Sequence, residues 1–114
     1  MIQSGRKNYM DYWHFTPEEK KELAARLTKA LPALRGAAKA TQEEVANVIG
    51  VSRQTYSAVE MQKRPMSWNI YMSLILFFDY NPHTHDAIRK LDVFPYRFDE
   101  CWLSGRIAQQ EGNL

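Results

Sequence analysis

The chain is short of the residues that staple small folds or bind metals. One cysteine, Cys101, in 114 residues leaves no internal disulfide framework. His83 and His85 are two positions apart, on different faces of a helix, and with one thiol they make a poor metal set. No apolar run approaches the roughly 20 residues of a membrane helix; the longest, around Ile75–Phe78, is interrupted by Ser73 and Asp79. The opening MIQSGRKNYMDYW has no continuous apolar segment of the kind a signal peptide needs, which places the protein in the cytoplasm. Strand-like alternation, internal repeats and low-complexity stretches are all missing. Neither sign of charge dominates: 15 Lys and Arg against 13 Asp and Glu give +2, which permits nucleic-acid binding without announcing it. Catalytic groups are equally scarce. Glu18, Glu19, Glu43 and Glu44 fall in first turns, where helix dipoles explain them. Paired carboxylates, a nucleophile with its base, and a glycine-rich phosphate loop are absent. An enzyme reading therefore has no positive feature, and no cofactor is implied.

What is present reads as helix throughout, in a chain of ordinary globular balance, 45% hydrophobic and 25% charged. Thr16-Pro17-Glu18-Glu19 combines a capping residue, proline at the first helical position and glutamate at the third. Leu23, Leu27 and Leu31 then recur every four residues. Pro32 lacks an N–H and clashes with the preceding turn, so this helix is expected to end or kink there, with a short continuation through Ala38. Thr41-Gln42-Glu43-Glu44 is a second start signal, and Gly50 suits the left-handed residue that closes the helix. Ser52 opens another helix only two residues later. Helices joined by so short a turn must cross steeply. Ser67 opens a fourth helix, Trp68 to Phe78, apolar around most of its circumference and fitted to the centre of a bundle. Asn81-Pro82 is expected to cap a fifth, with Ala87, Ile88 and Leu91 as its few apolar positions.

The informative segment is QEEVANVIGVSRQTYSAVE, residues 42–60. Ala46 is small where the two helices approach, and Gly50 permits positive φ in the turn. Val45, Ile49, Val51, Tyr56 and Val59 bury the inner faces; Tyr56 is expected in the core with its hydroxyl at the surface. On a wheel of about 100° per residue, Arg53, Gln54 and Ser57 share one face, opposite Tyr56, Val59 and Glu60. The outward face thus offers a guanidinium, a carboxamide and a hydroxyl close to the helix N-terminus, and no bulky apolar group. Arg and Gln are the side chains that pair bidentately with guanine and adenine edges in a major groove about 12 Å wide.

This segment closely resembles the helix-turn-helix of phage-repressor/Cro-like (XRE-type) transcriptional regulators, through Gln42, Ala46, Gly50, Val51, Ser52, Gln54, Val59 and Glu60. The resemblance covers about residues 34–78, roughly 40% of the chain. It implies a compact five-helix, all-α, lambda-repressor-like DNA-binding domain. By position, it implies that Gln42 binds phosphate and buttresses the recognition helix, that Arg53 and Gln54 read bases, and that Ser52 and Ser57 touch backbone or base edges. Lys63 and Arg64 fall in the basic loop that grips phosphate, and Arg35 with Glu60 matches a structural salt bridge. Three positions depart from the pattern: Pro32 inside the usual first helix, Met61-Gln62 in place of Asn-Gly, and Ala58, which offers only a methyl to a base.

The domain is expected over 17–92, between an N-terminal extension, 1–16, and a C-terminal one, 93–114. Tyr9, Tyr12, Trp13 and Phe15 are too aromatic for a free tail; Arg6 and Lys7 ahead of them suit an arm reaching DNA. Val93, Phe94, Tyr96, Phe98, Trp102 and Leu103 form a second apolar cluster, followed by a polar end, 104–114. These segments cover the chain's own helices, pack on each other within one chain, or form a homodimer interface. The expected function is sequence-specific double-stranded DNA binding by a cytoplasmic prokaryotic regulator acting as a dimer, with no membrane partner. The alternatives are an antitoxin-like module whose aromatic termini bind a partner protein, and a nonspecific nucleic-acid binder.

Overall fold

A computed structural model describes residues 9–93 and residue 106. The expected arm at Arg6 and Lys7, the single cysteine Cys101, the aromatic cluster from Phe94 to Leu103 and nearly all of 104–114 lie outside these residues. Among the described residues every regular element is helical: a 3₁₀ turn, Tyr9–Trp13, then α1 (Pro17–Ala38), α2 (Gln42–Ile49), α3 (Arg53–Glu60), α4 (Trp68–Tyr80) and α5 (His85–Lys90). None of these helices is long and apolar enough to cross a membrane. Pro17–Phe94 form a unit of their own. In the stretch before it Phe15 is buried, whereas Met10 and Trp13 are exposed.

Pro32 does not end α1, which runs unbroken for 22 residues. The expectation of a break there is corrected by packing. An interior proline costs a helix about 3 kcal/mol, but burying a leucine returns about 1.5–3 kcal/mol. Leu27, Leu31 and Leu34, on both sides of Pro32, are all buried. Pro32 itself is exposed, so its ring and its missing donor lie on the solvent side.

The following turns obey their local signals. Thr41 accepts from the Glu44 N–H at 3.1 Å while the Glu44 carboxylate accepts from the Thr41 N–H at 2.9 Å, closing a reciprocal cap on α2. Those bonds hold the Glu44 carboxyl below its usual range. Gly50 closes the helix at φ +82°, and its N–H donates to the Ala46 carbonyl at 2.9 Å. Ser52 caps α3 by accepting from the Thr55 N–H, and Ser67 caps α4 by accepting from Ile70.

α4 supplies the centre of the core through Ile70, Tyr71, Leu74, Ile75 and Phe78, packed by α1, α2 and α5. Trp68 stacks on Tyr71 with ring centroids 4.5 Å apart, and the Lys20 ammonium sits 5.5 Å over the Trp68 ring. The buried Tyr71 hydroxyl donates to the Val93 carbonyl. Burial pushes the Tyr71 phenol well above its usual range. Val93, grouped by sequence with the C-terminal aromatics, is therefore part of this core.

The fifth helix starts later than expected. Asn81 ends α4 and its side chain accepts from the His83 N–H at 2.8 Å, shaping a turn instead of capping α5. Thr84, fully buried, donates its hydroxyl to the Phe78 carbonyl at 2.8 Å and leaves α5 without a side-chain cap. Of the expected apolar face only Ile88 is buried; Ala87 and Leu91 are exposed. Asp79 fixes the α4–α5 angle by accepting two bonds from Arg89, at 2.8 and 3.0 Å. That guanidinium holds the Asp79 carboxyl below its ordinary value.

Candidate functional site

The site is built on α3, which crosses between α2 and the turn that leads to α4. Its inner side is anchored by Tyr56, Val59 and Glu60, all buried. Glu60 receives Arg35 of α1 as a fork, Nε to Oε2 and Nη2 to Oε1, both at 3.0 Å. The remaining Arg35 nitrogen, Nη1, donates to the Ala40 carbonyl at 3.2 Å, so one guanidinium joins α1, α3 and the turn before α2. Burial, the largest single influence, would raise the Glu60 carboxyl, but the Arg35 fork, the nearby Tyr56 hydroxyl and the Arg35 charge together outweigh it and hold the group below its usual value. The Gln42 amide, at the start of α2, adds a smaller lowering contribution. The same contact with Glu60 raises Arg35.

Tyr56 departs from its expected placement. The whole side chain is buried, and its hydroxyl has no hydrogen-bond partner of good geometry. Burial, reinforced by the Glu60 carboxylate, drives the phenol far above its ordinary range. A wheel assigns Tyr56 the correct side of α3 but not its depth.

The outer side of α3 carries Arg53 and Gln54 in the first turn, both exposed. Among the described residues neither has a hydrogen-bond or ion-pair partner, so guanidinium and carboxamide are available to a ligand. Ser52 is already employed as the cap, and its hydroxyl also donates to Thr55 Oγ1 at 3.0 Å. Ser57 is half-buried and its hydroxyl lies 3.6 Å from the sulfur of Met61. Met61 is 57% exposed beside it and adds an apolar group at the C-terminal end of the outward face, away from Arg53 and Gln54 in the first turn. The helix stops at Glu60, and Met61, its C-terminal cap, still donates its N–H to the Ser57 carbonyl at 2.9 Å.

Two hollows flank this surface. The first, about 520 Å³, is lined by Arg35, Lys39, Thr41, Gln42, Glu43 and Arg53 at the start of α2. It brings Gln42 and Arg53 together and adds Lys39, which no sequence signal marks, since a single lysine in a turn looks like any solvated charge. The second, about 490 Å³, brings Ser52, Thr55 and Arg64 together with Ser67 and Asn69 at the start of α4. Arg64 reaches back to α3, its Nη1 lying 3.5 Å from Thr55 Oγ1.

Lys63 and Arg64 are both exposed in the turn after α3. The turn is closed by Gln62 at φ +61°, a left-handed conformation that favours glycine. The N–H groups of Lys63 and Arg64 both donate to the Ala58 carbonyl, at 2.8 and 3.2 Å. The surface can therefore offer hydrogen-bond donors to base edges at its centre and cationic side chains to phosphates at both margins. Comparison with family models, characterised proteins and solved structures finds no match to the chain.

Proposed function

We propose that this chain binds double-stranded DNA sequence-specifically and acts as a prokaryotic transcriptional regulator of the phage-repressor/Cro-like kind. The observation that carries the proposal is the exposed first turn of α3, where Arg53 and Gln54 have no partner among the described residues. In this reading α2 and α3 form a helix-turn-helix, and α3 enters the major groove with Arg53 and Gln54 on base edges. Met61 adds an apolar contact suited to a thymine methyl. Gln42 and Lys39 hold phosphate on one side, Lys63 and Arg64 on the other, fixing the register of α3. The protein works as a homodimer on two half-sites about one DNA turn, roughly 34 Å, apart. Leu76 and Tyr80, one turn apart on α4 and 60% and 81% exposed, support an apolar contact surface outside the DNA-binding face.

Selection of binding sites from random duplexes tests the reading. An enriched motif with two-fold symmetry is the expected result; recovery of unenriched sequence at every salt concentration would reject it. A second reading, an antitoxin-like module that binds another protein, draws support from the exposure of Met10 and Trp13. It predicts a stoichiometric protein partner on purification from the native source.

A further inference from the structure

A third hollow, about 370 Å³, lies between α1 and the turn after α3. Its rim carries Lys21 and Lys29 from α1 and Lys63 and Arg64 from the turn, around a floor that includes Ala25 and Met66, and no carboxylate among the described residues lines it. Among the described residues Lys21, Lys29 and Lys63 have no ion-pair partner. Lys21 and Lys29 stand two turns apart on one face of α1, about 12 Å along the axis. Ala25, midway between them, presents only a methyl, so a bulky ligand can approach the helix. Four like charges around one hollow repel one another in the free protein, and a polyanion relieves that repulsion.

The hollow adjoins the α3 surface through one shared residue. Arg64 lines both this hollow and the one at the start of α3. We infer that α1 is a second phosphate-binding element: Lys21 and Lys29 hold the DNA backbone where it leaves the Lys63–Arg64 turn, extending the footprint beyond the recognition helix. This rests on the DNA-binding reading above. The place of Arg64 on both hollows, linking the lysines of α1 to the α3 surface, favours DNA over an acidic protein segment, which would need only an isolated patch.

The test is a salt titration by fluorescence anisotropy, using the selected duplex and a scrambled duplex. Wild type is compared with the double variants Lys21→Gln/Lys29→Gln and Lys21→Arg/Lys29→Arg. Both lysines are exposed, and thermal melting checks that the variants fold. Each phosphate contact contributes about 0.9 to the slope of log affinity against log salt, so the glutamine variant is expected to lose about 1.8 on both duplexes. Its preference for the selected duplex stays unchanged, and the arginine variant keeps the wild-type slope. An unchanged slope in the glutamine variant, with wild type still binding and Arg53→Ala still impairing it, overturns the α1 inference alone. Failure of wild type to bind any duplex overturns the DNA-binding reading and the inference with it. Binding of a poly-glutamate peptide that depends on Lys21 and Lys29, while duplex affinity does not, also overturns the inference and reassigns the hollow to an acidic protein segment.

Discussion

Arg35 and Glu60, 25 positions apart in sequence, face each other as a planar fork with both nitrogen–oxygen distances at 3.0 Å. The carboxylate side chain is 6% exposed and the guanidinium 26%. Removing one member of a buried pair strands a charge and costs about 3–5 kcal/mol. Partial exposure of Arg35 favours the lower end for the loss of Glu60, because the surviving guanidinium can be hydrated. Arg35→Met is therefore expected to destabilise more than Glu60→Leu, and the double variant less than Arg35→Met. Urea unfolding of the four proteins at pH 7 reads the coupling; strictly additive losses would contradict it.

Acid sensitivity follows from the same pair and from Asp79. Both carboxyls are held below their ordinary values of 4.5 and 3.8, so folding keeps them ionised where the unfolded chain has begun to take up protons. Their stabilisation is complete above about pH 5 and is lost as pH falls through the lowered folded values. The urea midpoint should be flat in these two contributions from pH 7 to 5 and decline towards pH 3. Asp79→Asn is expected to start lower and decline less steeply.

Pro32 is tolerated, not favoured. Pro32→Ala restores a backbone donor within α1 at an exposed position and is expected to stabilise by about 1–3 kcal/mol. Differential scanning calorimetry should record a higher Tm, with DNA affinity unaltered.

Two turns with positive φ should respond oppositely to glycine. Gln62, at φ +61°, strains as any residue with a Cβ does there, so Gln62→Gly is expected to stabilise by about 0.5–1 kcal/mol. Gly50, at φ +82°, has open space where a Cβ would stand. Gly50→Ala therefore loses only backbone conformational energy, about 1–2 kcal/mol, and Gly50→Asn less. Equal melting temperatures across the series would exclude a left-handed requirement at either turn.

Arg53 and Lys63 are expected to fail differently. Arg53→Ala should weaken the selected site by about 1–3 kcal/mol and relax the base preference beneath it. Lys63→Ala should weaken every duplex alike and reduce the salt slope by about 0.9. Competition titrations with selected and scrambled DNA separate the two.

The helical starts at Thr41, Ser52 and Ser67 and the stop at Gly50 were legible because a cap is a local bargain between a side chain and its own backbone. Pro32 and Asn81 misled for the complementary reason. Leu27, Leu31 and Leu34 hold α1 together past Pro32 by packing into a core that distant helices complete, and Thr84 redirects the turn after Asn81 through a bond to Phe78. On the site, the direction of Arg53 and Gln54 follows from period alone, whereas the depth of Tyr56 and the exposure of Met61 depend on what packs above them. Lys21, Lys29 and Lys39 carried no signal at all. Their meaning arises only when distant segments place them beside Lys63, Arg64 and Arg53.

The carbonyl of Ala58 consumes the amides of both Lys63 and Arg64. An oxyanion arriving at that bend meets no rigid main-chain cradle, only long, swivelling side chains. Such a clasp follows its guest instead of dictating its pose, so exchanging Lys63 for arginine should be harmless there, and directional precision must come from α3.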